Sequence, residues 1–371
     1  MKSTGRLVSL DFFRGATIAA MILVNNPGDW GHVYAPLLHA EWHGWTFTDL
    51  IFPFFLYIVG VAIVFAFSKK LSQNVSKKEL YIKIVRRTII LFALGLFLNG
   101  FPFFELSTIR IPGVLQRIAI CYLIASIIFL HTSWKGQLAW GVSLLFVYWG
   151  MMAWIPVPDI GAGIYEKGAN FSNYIDSLLL KGHMWSFTKT WDPEGIVSTL
   201  PAISTTLFGV LTGHWLRTEK TPLEKTLGMV VYGNIILFIG LFWHAWLPIN
   251  KSIWTSSYSV AMAGLALICL GISYYFIDVR EKRRFIQPAL VYGTNAITVF
   301  VLSGIVAKLL YLITFNAPDG GEISLKEWIY NTFYASWLNE YNASLGFAVT
   351  FIVVMYLLML ILYRKKIFIK I

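Results

Sequence analysis

Residues 25–60 read NNPGDWGHVYAPLLHAEWHGWTFTDLIFPFFLYIVG. The first part is polar and rich in Trp; beyond Asp49 the run is apolar and uncharged as far as Gly60. A polar loop feeding straight into an apolar helix marks the point where a chain enters a membrane. Asn25, Asn26, Asp29, His32, His39, Glu41, His43 and Asp49 are all concentrated at that point, with His39 at the centre. Polar groups crowded at a bilayer face cost solvation energy unless they are paired or used. The stretch therefore sets the fold class, a membrane helix bundle, and marks a candidate active site within it.

The rest of the composition agrees. The chain has 371 residues, 57% hydrophobic and 13% charged, against about 25% charged in a soluble domain. The net charge of +11 does not indicate nucleic acid, because the basic residues fall between apolar segments, as a topology signal requires. Cys121 and Cys269 both lie inside apolar runs and read as small buried hydrophobes. No Cys/His spacing resembles a metal site, so none is expected. The N-terminal run contains Asp11 and Arg14 and has no small-residue cleavage site after it, so it reads as an uncleaved first helix.

Apolar runs predict an all-α, polytopic membrane bundle of about ten spans, at 7–25, 49–67, 84–101, 112–131, 135–156, 198–216, 226–247, 256–277, 288–314 and 345–363. The ninth is long enough to be tilted, or broken near Gly304. The connections alternate in charge. One side carries Lys2 and Arg6, the run from Lys69 to Arg87, Lys135, the group Arg217, Lys220 and Lys225, the cluster Arg280 to Arg284, and the basic C-terminus ending at Lys370. That bias predicts that both termini are cytoplasmic and that the His39 loop is outside. The longer loops 157–197 and 315–344, rich in Trp, Tyr, Asn and acidic residues, share its face. A single integral membrane domain, 1–371, is expected.

An imidazole titrates near neutral pH, so His39 can serve as base, acid or acyl acceptor. The same residue can also be an interfacial histidine satisfied by water or by Asp49. The run LLHAEWHGWTFTDLIFPFFLYIVG closely resembles the catalytic region of the lysosomal heparan-alpha-glucosaminide N-acetyltransferases and their bacterial relatives. RLVSLDFFRG at 6–15, RIPGVLQRIA at 110–119, WDPEGIVSTLPA at 191–202 and, less specifically, YGTNAITVFVLSG at 292–304 are similar to the same family. The resemblance implies acetyl transfer from cytosolic acetyl-CoA to the amine of a terminal glucosamine across the membrane, with His39 at the active site. It matches Asn25 to an asparagine at the end of the family's first span, although the interval from Asn25 to His39 is longer here. It also implies a homodimer. The animal enzymes carry an extra N-terminal span and lumenal region, so the chain reads as a bacterial-type version, in an inner membrane with the His39 loop facing the periplasm.

The residues suit that chemistry. Acetyl transfer from a thioester needs a nucleophile or base and donors for the developing oxyanion. His39 can deprotonate the acceptor ammonium for direct attack, or take the acetyl itself in a ping-pong cycle. Asn25 can donate to the thioester carbonyl or orient the imidazole, and Asp49 can fix the His39 tautomer. His32 and His43 are the rival histidines.

Asp11 and Arg14, spaced i and i+3, can pair on the first helix, either as a structural ion pair or with Arg14 binding a CoA phosphate. Arg110, Gln116 and Arg117 surround Pro112-Gly113 and can hold the donor's phosphate or serve as helix-to-helix glue. Asp192 and Glu194 flank Pro193 in a turn expected to lead to a helix N-terminus at Ser198; they can recognise sugar hydroxyls or the amine. Trp42, with Trp45 and Glu41, is expected to wall the acceptor site. Two other functions remain open from sequence: a secondary transporter of amino sugars or small anions using the same intramembrane charges, and an O-acyltransferase acting on a surface glycan.

Overall fold

The computed structural model describes residues 7–316 and 321–369. It is mostly helical, with one two-stranded hairpin. Each of the ten expected segments is occupied by helix. In chain order the α-helices are α1 (Val8–Asn25), α2 (Phe47–Ser72), α3 (Lys77–Gly100), α4 (Val114–His131), α5 (Trp134–Trp154), α6 (Phe171–Leu179), α7 (Thr199–Leu216), α8 (Pro222–Trp243), α9 (Ser256–Tyr274), α10 (Gln287–Thr294), α11 (Ala296–Leu312), α12 (Leu325–Tyr330) and α13 (Glu340–Arg364), with α6 and α12 in the loops between the expected segments. Strands β1 (Thr314–Asn316) and β2 (Glu322–Ser324) pair antiparallel, with Phe315 opposite Ile323. Among the described residues, six helices are long and apolar enough to cross a membrane: α1, α2, α4, α8, α9 with its continuation to Val279, and α13. The chain is an integral membrane protein. α3 opens instead on Lys77, Lys78, Glu79, Lys83, Arg86 and Arg87, too many charges for a uniform apolar span. Lys2, Arg6 and Lys370, part of the charge bias, lie outside the described residues.

The ninth segment is broken, but not at Gly304. α10 and α11 meet at an 85° bend, and the break is Asn295, with φ −129° and ψ 41°. Its side chain explains the position: Nδ2 donates to the Ile367 carbonyl at 3.1 Å and Oδ1 accepts from the Ile369 N–H at 2.9 Å. A polar side chain that serves the C-terminal backbone holds the turn open, whereas Gly304 lies in the uninterrupted helix α11.

The chain forms two compact units. One comprises, of the described residues, 7–39, Thr46–Ile51, 282–316 and 321–369. Within it α1 crosses α10 so closely that a Cβ at Gly15 would lie 1.7 Å from the Ala289 carbonyl oxygen. Arg14 donates to Asp11 Oδ1 at 3.1 Å and to the Gly293 carbonyl at 3.3 Å, so the expected i,i+3 ion pair forms and is also tied to α10.

The other unit comprises Ala40–Trp45 and Phe52–Glu281. Helix α2 runs through its core, with Leu56, Val61 and Val64 fully buried, while α8, only 22% buried along its most apolar window, turns outward. Between apolar helices in lipid, small residues permit the close approach that packing requires. A Cβ at Gly60 would lie 1.9 Å from the Thr206 carbonyl oxygen of α7, whereas one at Gly141 would meet Leu207 at an ordinary 3.6 Å. Gly60→Ala therefore forces α2 and α7 apart and should lower the thermal midpoint in detergent, at a cost of about 1–3 kcal/mol. Gly141→Ala should leave the midpoint nearly unchanged.

Candidate active site

The site on the first unit is built at the start of α2. Thr46 directly precedes the helix, and Asp49 lies in its first turn, the spacing in which a side chain at the third helical position satisfies the capping residue's N–H. The Thr46 N–H donates to Asp49 Oδ2 at 2.9 Å. The unpaired N–H groups and dipole of a helix N-terminus favour a carboxylate there, and the Asp49 side chain is only 1% exposed. Its other oxygen, Oδ1, lies 2.5 Å from His39 Nδ1. A carboxylate oxygen at this position accepts from an Nδ1–H, the arrangement that turns Nε2 toward a reacting group. The imidazole is half exposed, so Nε2 is accessible to a reacting group.

The rival histidines are differently engaged. His32 lies between two carboxylates, with Nδ1 2.6 Å from Asp29 and Nε2 3.0 Å from Glu340. The hydrogen bond to Asp29, opposed by desolvation and helped by Glu340, raises its pKa. Both nitrogens serve ion pairs and neither is left for chemistry. His43, in the second unit, has Nδ1 3.4 Å from Asn250 Nδ2 and Nε2 3.9 Å from Glu166, and burial lowers its pKa. Asn25 is the exposed last residue of α1. Among the described residues no hydrogen bond links it to His39. Arg14 is occupied by Asp11 and Gly293 as described.

In the second unit, residues 192–198 form the turn anticipated from Pro193, closed by the Gly195 N–H donating to the Asp192 carbonyl at 2.9 Å. Two arginines seize it. Arg110 grips Asp192 in a fork, Nε to Oδ2 at 2.8 Å and Nη2 to Oδ1 at 2.6 Å, and also donates to Glu194. Its guanidinium sits 5.8 Å from the Trp185 ring. Burial disfavours its charge, but Glu194 and Asp192 outweigh that and hold its pKa above the usual value. Glu194 is held below its ordinary value: burial acts against ionisation, and Arg110 overcomes it with help from Lys251 and Arg117. Arg117, almost fully buried, donates through Nη2 to the Gly195 carbonyl at 2.9 Å and to Ser198 Oγ at 2.5 Å, and lies 5.2 Å from the Trp254 ring. Among the described residues, its Nε and Nη1, and Gln116 Nε2, have no hydrogen-bond partner. Sequence reasoning assigned Arg110 to the donor and Asp192 and Glu194 to the acceptor; the structure binds the three to one another. Trp42 donates through Nε1 to the Tyr165 carbonyl at 2.9 Å and meets Trp191 edge-on at 5.2 Å, and Glu41 is exposed.

Sequence reasoning missed Asp176. Its carboxylate accepts from the N–H groups of Ile196 at 2.9 Å and Asp192 at 3.3 Å. A Cβ at Gly195 would come within 2.0 Å of its Oδ2, so the turn rests directly on this carboxylate. Burial pushes its pKa up to about 6.

His39, Asp49, Arg110, Asp176 and Asp192 all lie within one stretch matched by a family model. The family model for the catalytic region of heparan-alpha-glucosaminide N-acetyltransferase matches residues 6–240. The chain belongs to that family. Its relatives include the human heparan-alpha-glucosaminide N-acetyltransferase, 28% identical in an alignment covering 80% of this chain and 52% of the relative. The mouse protein of the same name is 27% identical, covering 81% and 53%. The chain thus spans about half the length of these curated relatives.

Two measurements test the turn. Arg110→Ala leaves Asp192 and Glu194 buried without their cation and should cost about 3–5 kcal/mol, read as a lower midpoint in detergent. The Asp176 carboxyl binds its proton more tightly folded than unfolded, so its contribution to stability is full below about pH 4 and is lost as pH rises through about 6. The stability of the wild type relative to Asp176→Asn should therefore fall across that interval in parallel melts.

Proposed function

We propose that the chain is a transmembrane acetyltransferase that moves acetyl from cytosolic acetyl-CoA to the amine of a glucosamine-type sugar on the outer face. The observation that carries this reading is the His39–Asp49 pair at 2.5 Å, anchored at the mouth of a membrane-length helix inside the region matched by the acetyltransferase family. In this reading Nε2 of His39 removes the proton from the acceptor amine as it attacks the thioester carbon. The imidazolium returns that proton to the sulfur as the C–S bond breaks, so CoA leaves as the thiol. In the two-step version Nε2 attacks first, an acetyl-imidazole forms with release of CoA, and the amine then takes the acetyl. Asp49 stabilises the positive charge that develops on the ring in either route, and Asn25 polarises the carbonyl.

The remaining assignments follow from which groups are already engaged. Arg110, Asp192 and Glu194 satisfy one another and we give them to the scaffold. Gln116 and Arg117 keep buried donors without acceptors among the described residues, which suits an acceptor-rich ligand such as CoA. Arg14 is retained as a secondary donor contact. Glu41 and Trp42 are proposed to meet the acceptor, a carboxylate for the ammonium and an indole for the sugar face. Ten spans, both termini cytoplasmic, a bacterial inner membrane with the His39 loop periplasmic, one functional domain and a homodimer complete the proposal; the charge bias of the loops and the family resemblance support it.

The test uses purified protein in liposomes with labelled acetyl-CoA and glucosamine. Wild type should transfer the label, His39→Ala should abolish transfer with insertion intact, and Asn25→Ala should lower the rate substantially. Wild-type activity in Asn25→Ala would remove that residue from the mechanism. Transfer to a hydroxyl acceptor but not to the amine would favour the O-acyltransferase alternative. Uptake of glucosamine without donor binding would favour the transporter.

A further inference from the structure

The His39–Asp49 pair is held from both sides by one residue that has no role so far. The N–H of Thr46 donates to Asp49 Oδ2 at 2.9 Å. Its hydroxyl donates to the carbonyl of Leu38, the residue immediately before His39, at 2.5 Å, with Asp49 Oδ2 a further 3.2 Å contact of the same oxygen. A hydroxyl has one hydrogen, and the shorter contact places it on Leu38; the N–H then serves Asp49. Thr46 is therefore a clip. Through its backbone it fixes the carboxylate that orients the imidazole, and through its side chain it fixes the peptide that carries the imidazole. It closes the base of the loop 40–45 that separates His39 from the start of α2. The neighbouring tie, Thr48 Oγ1 to the Pro36 carbonyl, is longer at 3.4 Å and acts two residues further from His39.

We propose that Thr46 is a positioning residue for acetyl transfer, its hydroxyl holding His39 in hydrogen-bonding register with Asp49. The inference rests on the reading of His39 as the group that meets the acetyl, but it makes a claim about the imidazole that can be read without any reaction. If the clip is lost, His39 no longer presents Nδ1–H steadily to Asp49, and its two tautomers mix. A residue that only caps α2 would lower stability and leave the tautomer alone.

The experiment compares full-length wild type, Thr46→Val, Thr46→Ser and Asp49→Asn in liposomes. Nitrogen-15 solid-state NMR of histidine-labelled protein, with the His39 signals assigned by difference from His39→Gln, reads the tautomer. Acetyl transfer kinetics are measured on the same samples. The expected result is a single Nδ1–H tautomer in wild type and Thr46→Ser, and a mixture in Thr46→Val resembling that in Asp49→Asn. In Thr46→Val kcat should fall about ten- to hundredfold, while the KM for acetyl-CoA stays within about twofold. An unmixed tautomer in Thr46→Val, or a Thr46→Ser no better than Thr46→Val, overturns the proposal. If Thr46→Val does not fold, Thr46→Cys, nearly isosteric with a weaker donor, must give an intermediate mixture; a wild-type spectrum from it is equally fatal. If His39→Gln retains full transfer, the catalytic reading fails while the NMR arm still decides the role of Thr46.

Discussion

A charge set among apolar helices is tolerated only where a fixed partner of opposite sign, or a row of unpaired backbone N–H groups, compensates for the water it has lost. The ionisable side chains of this protein follow that constraint closely. Asp11 and Arg14 share one face of α1. Arg110 takes two carboxylates at once. Asp49 is buried because the first turn of α2 and an imidazole both meet it. The loops between helices are shaped by these pairings, and the helices can be apolar because the polar work is confined to their ends.

The pairings also separate scaffold from chemistry. A group whose hydrogen-bonding capacity is exhausted inside the fold has little left for a substrate. His32, with a carboxylate on each nitrogen, belongs to the first kind, and Arg110 commits its Nε and Nη2 to Asp192 and Glu194. His39 belongs to the second: one nitrogen is committed and the other is open at a half-exposed ring. Arg117 is intermediate, a buried cation that holds the 195–198 turn with one nitrogen while two others lack partners among the described residues. That contrast, more than residue type, distinguishes the candidate catalytic groups from equally polar neighbours.

Much of this was legible in the chain. The apolar runs located the helical segments, since periodicity and length are properties of a single segment. The Asp11–Arg14 pair followed from helical spacing, and the turn at Asp192-Pro193-Glu194-Gly195 from its residues. The His39–Asp49 relation was accessible because only a short loop separates the two. Thr46 could have been found from its capping spacing to Asp49. Asp176 carried no signal, because its partners, Asp192 and Ile196, lie in a different element. Glu340 was equally hidden, reaching His32 from the far end of the sequence.

The sequence by itself determined the membrane character, the helical segments, the family motifs and the candidate histidine, because hydrophobicity and local spacing act over a few residues. Only the tertiary structure decided which charges are spent on one another. It committed Arg110 to Asp192 and Glu194, placed the break of the ninth segment at Asn295 rather than Gly304, and left Nε2 of His39 open. Those outcomes depend on contacts between residues tens to hundreds of positions apart, and the energy of a charge in an apolar protein is set by its nearest neighbours in space, not along the chain.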